Sequence, residues 1–133
     1  MTGRVRDTAA MIAAMAPELD PRRWAFVAVT PDRAPELLGA ALGTFREAEG
    51  VSAIVPADVA GDAPEFARIV LTVQSDLEGV GLTAAVATAL ADAGIACNVV
   101  AALHHDHLFV PVDRADEAMV VLQARAASAT IAD

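Results

Sequence analysis

Hydrophobic positions in the second half of the chain fall into two clear periods, and the first half repeats their order more faintly. Residues 67–74, ARIVLTVQ, are rich in branched apolar side chains over a run too short for a helix, which predicts a strand. A polar loop follows, SDLEGVG, carrying Gly79 and Gly81. Leu82, Val86 and Leu90 then recur every four residues, broadened by Ala85, Ala89 and Ala93, and predict a helix with Gly94 as its left-handed C-terminal cap. Residues 95–103 and 107–111 read as strands joined across His104, His105 and Asp106. Asp113 is placed to cap a last helix through about Ala126, burying Ala115, Met119, Leu122 and Ala126.

In the first half, residues 8–15 predict a short helix that Pro17 and Pro21 end, with Asp20-Pro21 as a turn. Residues 24–30, WAFVAVT, predict a strand, with Trp24 and Phe26 assigned to the core. Residues 31–43 hold two prolines and two glycines and leave room for one helical turn at most. Residues 44–56 predict a hairpin turning at Glu49-Gly50, and Pro56 stops its second strand before a brief helix at best. The halves echo each other. SAIVPADVA matches HLFVPVDRADEA, each a hydrophobic strand stopped at Val-Pro and followed by an Asp-bearing helix start. FVAVTPD similarly matches IVLTVQSD. Two copies of one unit, the first with its helix mostly lost, account for this order.

Composition narrows the function classes. At 133 residues and 56% hydrophobic, the chain can bury a core. No apolar run reaches the roughly 18 residues of a membrane span. Pro17, Glu18 and Asp20 interrupt the N-terminal apolar stretch, which does not suit a signal peptide, so a cytoplasmic location is expected. Net charge is −9, with nine arginines and no lysine, and a phosphate backbone would be repelled. The single cysteine, Cys97, excludes an internal disulfide and a paired-cysteine metal knuckle. No serine-centred nucleophile motif, phosphate loop or dinucleotide fingerprint is present, and no cofactor is expected.

Several of these stretches together, EGVSAIVP, then residues 73–111 from VQSDLEGVG through HLFVP, then RADEAMVVL, resemble the small bacterial tandem ACT-domain proteins of the aspartate-kinase-regulatory-like and CASTOR-type branch. The resemblance is close over residues 47–122 and looser elsewhere. It implies an α+β fold: two ACT-like, ferredoxin-like units in tandem, residues 1–66 and 67–133, with antiparallel sheets and helices on one face. It also implies an amino acid bound where two units meet, with occupancy passed to an enzyme. The 133 residues contain no kinase, dehydrogenase or transporter segment, so a separate effector protein is the expected reader. A homodimer is expected, because exposed strand edges are commonly covered by oligomers.

Two stretches compete as the functional site. In the first, HHDH, an extended backbone places His105 with His107 on one face and His104 with Asp106 on the other. Neither pair supplies the three ligands of a catalytic zinc, and aspartate is at home in a hairpin turn. An aspartate bonded to a histidine there would favour the protonated ring. In the second, Ser75, Asp76, Leu77, Glu78, Gly79, Val80, Gly81, Leu82 and Thr83 form a glycine-bearing entry to a helix. The glycines let a ligand approach the backbone, the helix start offers N–H groups to a carboxylate, and Asp76 or Glu78 meets an ammonium group. The plainer reading is a tight turn with Ser75 or Asp76 capping the helix. Asn98, polar in an apolar strand, is either a satisfied amide or a ligand contact. Cys97 has no basic sequence neighbour to activate it and reads as a small buried residue.

The reading that follows is a non-enzymatic regulatory module for a small amino-acid-like ligand, with no catalytic residues, no metal, no nucleic acid and no membrane. An oligomerisation protein without ligand is the alternative from another class. A metal-dependent enzyme at HHDH is a third.

Overall fold

The computed structural model describes residues 7–129, so the outer ends of the two expected units, residues 1–6 and 130–133, lie outside it. The elements run α1 (Thr8–Ala13), β1 (Pro17–Ala28), α2 (Ala34–Ala40), β2 (Gly43–Glu47), β3 (Gly50–Pro56), β4 (Phe66–Leu71), α3 (Leu82–Asp92), β5 (Asn98–Ala101), β6 (Asp106–Pro111) and α4 (Ala115–Ser128). Short 3₁₀ turns, Ala57–Val59 and Val112–Arg114, follow β3 and β6. That is the echo of the two Val-Pro stops: each half is strand, helix, strand, strand, 3₁₀ turn. All strands join one antiparallel sheet in the order β2-β3-β1-β4-β6-β5, with β1 and β4 at the centre.

Alternation along β4 turns Ala67, Ile69 and Leu71 inward, and their partners Val110, Leu108 and the end of β6 continue the same face. On this face α1, α3 and α4 bury Met11, Ile12, Met15, Leu82, Val86, Leu90, Ala118 and Leu122. A second, smaller cluster places Leu37 of α2 on Ala53 and Val55 of β3. Among the described residues, no helix packs on the opposite face. Phe26 makes edge-on contacts there with Phe66 (5.6 Å between ring centres) and Phe109 (5.2 Å). The sheet curls about this side until Val100 of β5 and Phe45 of β2, strands from opposite edges, line one groove.

Several expectations are corrected. Asp20-Pro21 does not end a segment: β1 runs straight through it, and its register against β4 shifts between Leu19 and Arg23. A bulge tolerates proline because the missing N–H is not needed by the ladder. Asp20 still organises the bulge, accepting the Arg22 N–H at 2.9 Å and the Trp24 indole N–H at 2.9 Å. Residues 31–43 hold two helical turns, α2, because Pro35 sits in the first turn where no donor is required. The first half's helix is therefore shortened and not lost. The β2–β3 turn is Ala48-Glu49, one residue earlier than expected, since Glu47 pairs with Gly50. Phe26 is 39% exposed and not core, whereas Trp24 is buried. Asp113 does not cap α4: the 3₁₀ turn intervenes, and Met119 and Ala126 are only half-buried while Ala118 is fully buried.

The expected hairpin at HHDH is present. Residues 102–105 connect β5 and β6, with the Ala102 N–H donating to the His105 carbonyl at 3.0 Å, and His107 stands inside β6 opposite Val100. At α3, Gly94 has φ +73°, and the Gly94 and Ile95 N–H groups donate to the Ala91 and Leu90 carbonyls, each at 2.9 Å. This paired arrangement closes the helix as its sequence predicts.

Candidate functional site

The connection from Leu71 to Leu82 is built by its polar and glycine residues. Asp76 Oδ1 accepts the Glu78 N–H at 2.8 Å, and the Asp76 carbonyl accepts the Gly79 N–H at 2.9 Å, which folds the loop into a tight turn. Asp76 thus caps its own turn and not α3. Gly81 holds φ +106° at the N-cap of α3, and among the described residues no side chain caps the helix start. The first-turn N–H groups of an α-helix have no partner within it.

α1 comes from the other half of the chain and is seated on this loop. Thr8 Oγ1 donates to the Val80 carbonyl. A Cβ on Gly81 would stand 2.5 Å from Thr8 Cγ2, and one on Gly79 would stand 3.0 Å from Met11 Sδ. Gly81, expected from sequence to admit a ligand to the backbone, is thus required for α1 to dock, and a Cβ at Gly79 would crowd Met11.

Between these parts lies a cleft of about 150 Å³ lined by Met11, Ser75, Asp76, Leu77, Gly79, Gly81, Leu82, Thr83, Ala101 and Asp106. Seven of the residues singled out in the sequence meet here: Ser75, Asp76, Leu77, Gly79, Gly81, Leu82 and Thr83. Glu78 and Val80 do not line it and are exposed. Asn98 is exposed at the far end of β5, about 10 Å by strand rise from Ala101, and is not brought to the cleft. Met11, Ala101 and Asp106 are wall residues that the sequence did not assign to this site. No local pattern marks Met11, whose helix comes from the other half. Alternation could have found Asp106, since it puts Asp106 and His107 on opposite faces of β6.

Burial pushes the Asp106 carboxyl above the usual carboxylate range, against smaller opposing pulls from the Ser75 hydroxyl, which donates to it at 3.5 Å, and from His107 and His105. His107 faces the helix-free side, where its Nδ1 lies 3.2 Å from Arg68 Nη1. Guanidinium can only donate, so Nδ1 must accept and the ring is neutral with its proton on Nε2. Burial first, then the positive charge of Arg68, lowers its pKa, and the pull of Asp106 does not compensate. The expectation that aspartate would favour the protonated ring is therefore corrected. Among the described residues no three His, Cys, Asp or Glu side chains converge in a group that could hold a metal ion. Cys97 is half-buried, and desolvation pushes its thiol up to about 11, which keeps it protonated and a poor nucleophile.

Family models described as ACT domain match residues 5–66 and residues 65–124. A Vibrio cholerae protein of unknown function, described as a possible transport protein, is 38% identical, with a TM-score of 0.74 over 86% of this chain and 92% of that one. This chain belongs to the ACT-domain family, with two units in tandem. Among curated proteins none matches it. The ACT protein also has the fold of the ligand-free regulatory subunit of aspartate kinase from Thermus thermophilus, at 12% identity and a TM-score of 0.61 over 84% and 97% of the two chains. The regulatory subunit of aspartate kinase from Thermus flavus is similar at 12% identity, with a TM-score of 0.57 over 82% and 95%. In the ACT protein, then, the cleft stands where Met11, from the residues of the first family match, meets the loop of the second. No helix of the described residues is long and apolar enough to cross a membrane.

Proposed function

We propose that this ACT protein is a non-enzymatic regulatory module that binds a small amino-acid-like ligand in the cleft between α1, the loop of residues 72–81 and the start of α3. One observation carries the reading. The cleft joins the uncapped N-terminus of α3, suited to a carboxylate, to the acidic side chains of Asp76 and Asp106, suited to an ammonium group. A zwitterion presents both charges a few ångströms apart. A void near 150 Å³ holds a molecule about the size of benzene, which favours short side chains over aromatic ones. The module would comprise units of residues 1–66 and 67–133, act in the cytoplasm as a homodimer, and report occupancy to a separate effector protein.

A thermal-shift series with the twenty amino acids tests this on the full chain. A ligand at 100 times its Kd stabilises a fold by about 2.7 kcal/mol, which is several degrees in Tm for a domain of this length. Short-chain amino acids are expected to raise Tm. A flat response to all twenty at millimolar concentration would remove the ligand reading. The second reading, a protein that uses its sheet to oligomerise without ligand, is favoured by the apolar groove of about 190 Å³ on the helix-free face, where Phe45 is 72% exposed. In that case sedimentation shows a dimer while the Tm series stays flat.

A further inference from the structure

α1 is held at both ends across the loop that it covers. At its start, Asp7 Oδ2 accepts the Ala10 N–H at 2.9 Å, and Thr8 bonds to the Val80 carbonyl. Beyond its end, the Met15 carbonyl accepts the Thr72 N–H at 2.9 Å, and the Ala16 carbonyl accepts the Thr72 hydroxyl at 2.9 Å. These ties, at residues 72 and 80, bracket the loop. Between them Met11 is 1% exposed, and its thioether end lies over Gly79, where even a Cβ would come within 3.0 Å of the sulfur and 3.1 Å of the terminal methyl. Among the described residues, Met11 is the only cleft residue contributed by the first half of the chain.

We propose that Met11 is a specificity-determining residue: its side chain sets the size of the ligand side chain that the cleft accepts. The proposal rests on the ligand reading above. The carboxylate and ammonium groups have polar partners on the loop, on α3 and on Asp106, so the apolar end of Met11 is left to meet whatever a ligand's Cα carries. A benzene-sized void has room for about six heavy atoms, and the main-chain atoms of an amino acid use most of them. The ligand class is therefore an amino acid with about one side-chain heavy atom at most, the size of glycine or alanine. Because α1 is tied on both sides of Met11, the wall cannot swing away without breaking the bonds to Thr72 and Val80. Truncating Met11 would open space toward α1 while leaving every polar partner in place.

The test is calorimetric titration of the full chain, unmodified and carrying Met11→Ala, with glycine, alanine, threonine, valine, leucine and methionine. Met15→Ala serves as control, since Met15 is equally buried beside α1 but does not line the cleft. Extra methylenes in an apolar pocket change affinity by about 10-fold or more, so the unmodified protein should favour the shortest ligands over leucine by at least that factor. Met11→Ala should bring the ratio below about 3 or invert it, and Met15→Ala should leave it unchanged. If an alanine variant does not fold, Met11→Val and Met15→Val are compared in the same way. An unchanged ratio in the Met11 variant overturns the proposal, as does loss of all binding in that variant or an equal change in the Met15 control. In each of those cases the unmodified protein still binds, so the ligand reading survives. Absence of binding to every protein overturns both.

Discussion

Asp106 is a carboxylate that burial makes reluctant to ionise, and the sign of its effect on stability can be worked out. Its folded pKa lies above the ordinary value of 3.8, so the folded state holds the proton more tightly than the unfolded chain does. Stability from this group is fully present below pH 3.8 and is lost as pH rises through the raised folded value. At neutral pH the ionised Asp106 is a cost to the ligand-free fold. Asp106→Asn should therefore hold or raise the Tm of the ligand-free protein, while weakening an amine-bearing ligand about 10-fold or more. Paired melting and calorimetry read both effects, and a lower Tm together with unchanged affinity would take Asp106 out of the site. The loop half of this site was legible in the sequence, because residues 75–83 form one contiguous polar and glycine-bearing entry to a helix. Met11 was not, because it reaches the cleft only through tertiary packing, whereas alternation along β6 separates Asp106 from His107 but does not by itself bring it to the loop. Asn98 was misplaced for the opposite reason: its polarity in an apolar strand says nothing about which end of the strand faces the loop.

At the scale of elements, the docking of α1 on the loop can be tested as a coupling. Gly81 is constrained twice, by φ +106° and by Thr8 Cγ2 at 2.5 Å from where a Cβ would stand. Gly81→Ala should cost about 2 kcal/mol or more in urea unfolding. Thr8→Ser keeps the hydroxyl that bonds Val80 and removes the clashing methyl, so the double variant should recover part of that loss, about 0.5–1.5 kcal/mol. Strict additivity would mean that α1 is not seated as described. Most elements were readable from period alone, and α3 with its glycine cap is the clearest case. Two of the misses share a cause. Proline at a bulge in β1 and in the first turn of α2 does no harm, yet in a bare sequence it reads as a break. Asp20 shows how the bulge is secured. Burial raises its pKa, but hydrogen bonds from Arg22, Trp24 and Arg68 and the charge of Arg68 outweigh this and hold it below the carboxylate range. Its contribution is therefore present above pH 3.8 and lost in more acidic solution.

For the whole molecule, the β1–β4 pairing makes two repeated units into one sheet, and the helical load on that sheet is unequal. The large cluster recruits Met11, Ile12 and Met15 from the first half onto β4 and β6, whereas the small one rests on Leu37, Ala53 and Val55. Residues 67–133 expressed alone would lose three buried side chains worth about 2 kcal/mol each, and would bare the edge of β4. That loss is comparable with the whole stability of a small domain. The fragment is expected to lack a cooperative urea transition, and a sharp transition near that of the full chain would show that the halves are independent. The curl of the sheet has a consequence for growth. A flat sheet with two bare edges can be lengthened by copies of itself without limit, and fibres form in that way. Here Phe45 and Val100, from the first and last strands of the order, already share a groove, so strands added at either edge would turn toward the other and exhaust the room. Assembly through these edges is steered toward a small closed body, and a ribbon has no straight direction in which to run.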